Sequence, residues 1–258
     1  MFKSRFVAAT AFSAMLSGAG EMVLADDAIE PPVHDSIVLM TENLPPYNMA
    51  VDGKNFAQES NIDGIAAEVL RDTFKRAGIG YSMTLRFPWE RIYKLAMEKP
   101  GYGVFSTARL PEREKLFKWV GPLGSYDWVM LARADSPITL KSLEQAGSYR
   151  IGAYKGDAVG ERLVAQGLNP ILMLRDQDNA KKLVNGQIDL WAAGDPTGPY
   201  LARLEGVTGL KTVLRFHHAE LYLALNRATP DEVVNRLQAA LDQLRAEGAV
   251  ERILARYR

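Results

Sequence analysis

Between residues 36 and 106, short apolar runs alternate with amphipathic stretches opened by proline or closed by glycine, and that alternation narrows the fold more than any other feature. The run at 36–41 carries Ile37, Val38, Leu39 and Met40, stops at Glu42, and is followed by the turn residues Pro45, Pro46 and Tyr47. Asp63 is placed to cap a helix over 64–77, with Ile65, Val69, Thr73, Phe74 and Ala77 on one face and Gly78 as its stop. Tyr81, Met83 and Leu85 alternate with polar neighbours, as a half-buried strand requires. Pro88 opens a helix over 89–98, and 102–106 reads as the next strand. A β-α-β-α-β series of this kind predicts a parallel sheet with helices on its faces.

The second half continues in the same manner: strands at 128–132, 149–154, 171–174 and 188–192, with helices at 159–166 and 179–185, the latter stopped by Gly186. A second α/β unit follows from this order. In the tail, Thr229, Pro230 and Glu232 have the spacing of a capping box with proline at the first helical position. Val233, Leu237, Leu241 and Leu244 then form one apolar face, and a short helix from Ala249 turns Val250, Ile253 and Leu254 inward.

The first 25 residues read as an address. Lys3 and Arg5 precede an apolar run from Phe6 to Leu16, and Val23, Leu24 and Ala25 stand ahead of Asp26, the order of a secretory signal peptide cleaved after Ala25. The run is shorter than the roughly 20 apolar residues a membrane span needs. There is no cysteine, hence no disulfide framework and no thiol for lipid attachment. A periplasmic location in a Gram-negative cell is expected. Without that segment the chain carries 29 basic and 30 acidic residues, against 31 of each in the full sequence. Nucleic acid is therefore not an expected partner, because its binders carry a basic excess.

The richest chemistry lies in the stretch from Gly101 to Leu123. A strand ends in Ser106 and Thr107 and runs directly into Arg109 and Arg113, and hydroxyls, backbone amides and a planar guanidinium there can hold a small anion such as a carboxylate. The same residues also read as a solvated helix start, with Glu114 pairing Lys118 at i,i+4.

The order ENLPPY at 42–47, IDGIAAEVL at 62–70, FSTARLPEREKLFKWVGPL at 105–123, NAKKLVNGQIDLWAAGD at 179–195 and the closing LRAEGAVERILARYR resembles the family-three periplasmic solute-binding proteins of ABC transporters, of the polar amino-acid type. The resemblance covers residues 36–258. It implies an α/β fold, a two-lobed clamshell of the periplasmic-binding-protein type (type II), with mixed, mostly parallel sheets and helices on both faces. After a signal peptide at 1–25, the first lobe would take 26–127 and the return segment 218–258, and the second lobe 128–217. The chain would cross near 126–128 and 217–220.

The function so implied is that of a receptor, not an enzyme. It would capture a small polar solute, an amino acid or related amine-bearing carboxylate, by lobe closure and deliver it as a monomer to an ABC permease, with no cofactor and no metal. Carried over by the resemblance, Arg113 matches the arginine that grips an α-carboxylate, aided by Ser106. Trp89 and Tyr47 match ligand-packing positions on the first lobe, although core burial explains either equally well. Gly156 and Asp157 stand where a strand gives way to a helix and amides could meet an anion. Asp195 is similar to the acid that pairs with an α-amino group, unless it merely caps a helix.

This chain departs from the pattern at Leu44, Ala108, Asp157 and Ala158, which trade neutral groups for an acid. With Glu42, Asp157 and Asp195 facing Arg113, the pocket would favour a ligand with more amines than carboxylates, or a polyamine-like cation. Two alternatives stand beside the receptor. One is a periplasmic enzyme on the same fold, similar to cyclohexadienyl dehydratases, with Glu42, Asp157 or Asp195 as general acid. The other is a sensing protein that reports its bound state to a partner. The sequence has no GxSxG, HExxH or phosphate-binding glycine loop, and His217 and His218 stand without a third metal ligand nearby.

Overall fold

The structure, a computed structural model, describes residues 36–257. The leader read at 1–25 and the beginning of the first lobe at 26–35 lie outside the described residues.

The chain opens with β1 (Ile37–Thr41), the short β2 (Met49–Ala50), β3 (Phe56–Gln58) and β4 (Ile62–Asp63), then α1 (Ile65–Ala77), β5 (Tyr81–Arg86), α2 (Trp89–Glu98) and β6 (Tyr102–Ala108). β1 pairs in parallel with β5 on one side and β6 on the other. This is the series the alternating pattern predicts. The next strand, β7 (Lys118–Arg133), is 16 residues long. It leads into the second lobe: β8 (Ile151–Tyr154), α3 (Ala158–Ala165), β9 (Ile171–Met173), α4 (Asp178–Val184), β10 (Leu190–Asp195) and α5 (Thr197–Leu204). β11 (Leu210–Leu225), also 16 residues, returns the chain to α6 (Asp231–Ala246) and α7 (Ala249–Arg256).

β7 and β11 pair antiparallel over nearly their whole length and tie both lobes into one nine-stranded mixed sheet, ordered β3-β5-β1-β6-β11-β7-β10-β8-β9. The segments 126–128 and 217–220 lie opposite each other in this pair, with His217 against Trp128 and Ala219 against Tyr126. The strand expected at 128–132 is the last part of β7, whose earlier part contains Gly121, Pro122 and Gly124. Register shifts between Leu221 and Leu223 let the pair pass those residues without separating.

Strand periodicity puts helices on both faces. In β10, Leu190 and Ala192 join the cluster containing Val159 and Leu163 of α3, while Trp191 and Ala193 join Leu183 of α4 and Leu201 of α5. In β1, Leu39 packs with Phe74 of α1 and Leu241 of α6, and Met40 turns the other way to Ile92 of α2.

Three local readings are corrected. The N-cap of α1 is Gly64, at φ 120°, and the carboxylate of Asp63 instead accepts from the Gly64 amide and from the Tyr257 hydroxyl. The capping box at Thr229 does not form: Pro230 occupies the cap position and the Thr229 hydroxyl is buried without a partner. Glu114 pairs with Arg109 at 2.6 Å, not with Lys118, because 109–116 folds as turns and a single 3-10 turn, while Lys118 reaches Asp231 across the lobe.

Candidate functional site

Every strand that matters to the cleft ends there. Glu42 is the first residue after β1, Ser106 lies near the end of β6, Asp157 follows β8, and Asp176 follows β9. Crevices at the carboxyl ends of parallel strands are the usual ligand positions of open α/β sheets. Here the crevice encloses a cavity of about 360 Å³ whose walls include Glu42, Tyr126, Tyr154, Asp157, Asp176 and Tyr200. A side compartment of about 40 Å³ shares Glu42, Tyr126 and Asp157 and adds Trp89, Ser106 and Arg113.

Interlobe bonds ring the cavity. The Tyr154 hydroxyl donates to the Glu42 carboxylate, 2.6 and 2.7 Å from its two oxygens. Thr197 Oγ1 donates to the Pro45 carbonyl at 2.9 Å, and Arg113 Nη2 donates to Glu161 Oε2 at 2.5 Å. The chain is thus in a closed arrangement.

The electrostatics of the cavity are acidic. Burial pushes the Glu42 carboxyl up to about 8; the charges of Asp157 and Asp176 add to the rise and the Tyr154 hydrogen bond opposes it. Burial likewise pushes Asp176 up to about 7, although Trp191 Nε1 and Asn179 Nδ2 donate to it at 2.9 and 3.2 Å. Asp157 is raised by burial and drawn back by Arg113 and by the amide of Val159, which its side chain caps at 3.1 Å. Burial works to lower the Arg113 pKa, but the Glu161 charge and the Tyr93 ring, 5.0 Å below the guanidinium, outweigh it and hold the group above its ordinary value.

Ser106 has φ 57°, a left-handed conformation unusual for a side-chain-bearing residue and a local strain. Its hydroxyl donates to Asn48 Oδ1, and the Asn48 amide in turn donates to the Glu42 carbonyl. The strained turn therefore fixes the floor beside Arg113.

Of the residues singled out from the sequence, Glu42, Trp89, Ser106, Arg113 and Asp157 converge on the two compartments. Tyr47 does not: its hydroxyl donates to the Ser125 carbonyl and its ring faces a separate open groove with Pro122 and Leu254. Gly156, at φ 75°, abuts the Glu90 side chain and is on neither wall. Asp195 is off both walls as well, held by Arg215 Nη2 at 2.5 Å. The acid that completes the cluster is Asp176, which lies past the strand expected at 171–174 and belongs to no motif. Tyr126, Tyr154 and Glu161 were equally hidden, since each looks like an ordinary strand or helix residue until the lobes are brought together.

Among the described residues no His, Cys, Asp and Glu group has a metal-binding arrangement, and no helix is long and apolar enough to cross a membrane.

The fold is shared with known proteins. A histidine kinase sensor domain with similarity to periplasmic binding proteins superimposes with a TM-score of 0.77 at 21% identity, over 87% of this chain and 96% of the other. ArtJ, the arginine-, lysine-, histidine-binding protein of Geobacillus stearothermophilus, gives 0.73 at 16% identity, over 86% and 94%. An ABC uptake transporter substrate-binding protein from Streptococcus pneumoniae with bound histidine gives 0.73 at 15%, over 86% and 92%. These superpositions show a common two-lobed fold. No curated protein matches the chain. The profile of the bacterial extracellular solute-binding proteins, family 3, matches residues 37–258, the whole of the fold described above, and the chain belongs to that family.

Proposed function

We propose that the protein is a periplasmic receptor that closes its lobes on a small amine-bearing solute and delivers it to an ABC permease. The observation that carries this reading is the 360 Å³ cavity between the lobes, lined by Glu42, Asp52, Asp157 and Asp176 and, among the described residues, by no Lys, Arg or His. Apolar and aromatic walls with a few convergent polar groups are what a small-molecule site requires. A cation in that space would meet carboxylates and the faces of Tyr126, Tyr154 and Tyr200. The amine ligands of several fold relatives agree with this charge.

On this reading Glu42, Trp89, Ser106, Arg113 and Asp157 wall the ligand compartments, together with Asp176 and Tyr154. The lobes meet within 126–128 and 217–220, the leader at 1–25 directs export, and the protein works as a monomer. Closure does the work: a ligand touching both lobes shifts the equilibrium toward the closed shape by its differential affinity. Isothermal titration with basic, neutral and acidic amino acids and amines, paired with small-angle scattering for compaction, tests it. Binding of an amine-bearing solute with a decrease in radius of gyration is expected; binding of acidic solutes alone, or no compaction, overturns it.

A second reading is favoured by one observation. A Glu42 carboxyl with its pKa at about 8 keeps its proton at neutral pH and could act as a general acid toward a leaving hydroxyl. Turnover of a prephenate-like acid, abolished in Glu42→Gln, would put the enzyme in place of the receptor.

A further inference from the structure

We infer that the solute taken by this site is an organic cation without a carboxylate, an aliphatic diamine or guanidino-amine, because Arg113 is already paired with the protein's own Glu161. The inference rests on the receptor reading above and narrows its ligand class.

Among the described residues, Arg113 is the sole cationic side chain lining either compartment. A ligand carboxylate would have to be gripped by it. The residue is 3% exposed, its guanidinium lies over Tyr93, and Nη2 donates to Glu161 from the facing lobe. Asp157 lines both compartments and lies near enough for its charge and that of Arg113 to influence each other. The start of α3, where amides could otherwise receive an anion, is capped by that same carboxylate through Val159 N. One internal cation is thus paired with one internal acid, Glu161, and shares its compartment with a second, Asp157. A ligand carboxylate entering the side compartment would sit beside the Asp157 and Glu42 side chains, where the one cation is already paired with Glu161.

The large compartment repeats the asymmetry. Glu42 and Asp176 line it together with Asp157, no basic side chain is on its wall, and Thr197, Gln177 and Tyr200 offer neutral polar groups. Two amines, or an amine and a guanidinium, held apart by a short methylene chain would place one charge near Asp157 and Glu42 and the other near Asp176. Their apolar stem would lie against Phe87, Tyr126 and Leu201.

The test compares each decarboxylated amine with its parent amino acid: putrescine with ornithine, cadaverine with lysine, agmatine with arginine. Titration is done on protein stripped of any retained ligand by unfolding and refolding. At least one amine is expected to bind tenfold or more tightly than its parent. In Asp157→Ser, which keeps a capping hydroxyl while removing the acid that shares the compartment with Arg113, the ratio should move at least tenfold toward the parent. Glu161→Gln, altered on an exposed side chain, should move it in the same direction if Asp157→Ser does not fold. Parents binding as tightly as or tighter than their amines, or a ratio unmoved in both variants, overturns this inference and leaves the receptor reading standing. If neither amines nor any amino acid binds, the receptor reading falls and the inference falls with it.

Discussion

The Tyr154 hydroxyl, at the end of a second-lobe strand, lies 2.6 and 2.7 Å from the two carboxylate oxygens of Glu42, the first residue after the opening strand of the other lobe. It is also within 3.3 Å of the Trp89 amide, so one phenol joins three walls of the cleft. Removing it leaves a half-buried carboxyl without its donor, at a cost of about 1–3 kcal/mol. That cost falls on the closed arrangement, since the bond exists only there. Tyr154→Phe is therefore expected to weaken ligand binding by roughly 5- to 150-fold while leaving the melting temperature of the open protein nearly unchanged, read by titration calorimetry and thermal unfolding.

Glu42 and Asp176 give the cleft a pH dependence of defined sign. Each carboxyl binds its proton more tightly in the folded protein than in the unfolded chain, Glu42 at about 8 against 4.5 and Asp176 at about 7 against 3.8. Stability from those protons is complete below the unfolded values and is lost as pH climbs through 7 and 8. The melting temperature of the unliganded protein should fall between pH 5 and 8.5, and Glu42→Gln should flatten the upper part of that fall. A cationic ligand reverses the preference, because it stabilises ionised carboxylates. Its affinity should rise by up to roughly tenfold per pH unit from 6 to 8, with proton release detected by calorimetry in buffers of different ionisation enthalpy.

Gly64 marks where backbone, not side chain, sets the limit. At φ 120° it lies so close to the Tyr47–Asn48 peptide that a Cβ would stand 2.5 Å from the Tyr47 carbonyl oxygen. The turn after β1 and the first turn of α1 are locked together there by Ile65 N and Ala66 N, which donate to Pro46 and Tyr47 carbonyls at 3.0 and 2.8 Å. Gly64→Ala combines a disfavoured dihedral with a contact against backbone that cannot yield. A loss of about 3 kcal/mol or more is expected, measured by denaturant unfolding, whereas Gly53→Ala, with open space around its Cβ position, should lose far less.

The fold was legible in the sequence because its signals are periodic and local: apolar runs, glycine stops and the face formed by Leu237, Leu241 and Leu244, all buried in α6. The long strands were legible only in part. Gly121, Pro122 and Gly124 carry breaker chemistry, and what keeps 118–133 extended is pairing with β11, nearly a hundred residues later. The site divides the same way. Glu42 and Asp157 follow strong strands and declare themselves, but a residue such as Asp176 gains meaning from Trp191 and Asn179, and Glu161 from Arg113 in the facing lobe. Asp195 illustrates the converse, for its partner Arg215 lies on β11, a pairing that no motif encodes.

Arg113 is bound into the protein on all sides, and its replacement should therefore report on structure as well as on ligand. The side chain is buried, stacked on Tyr93 and paired with Glu161. Truncation to alanine deletes the packed stem, leaves Asp157 without its cation and releases Glu161, which is exposed enough to rehydrate. Asp157 then becomes easier to protonate, which limits the penalty. A loss of about 2–3 kcal/mol in unfolding free energy follows, and the interlobe pair is lost along with it. Arg113→Met, which keeps the stem, should recover part of the stability but none of the closure. Denaturation together with scattering separates these two effects: a variant that closes as fully as the parent protein would show that the Glu161 pair contributes nothing to holding the lobes shut.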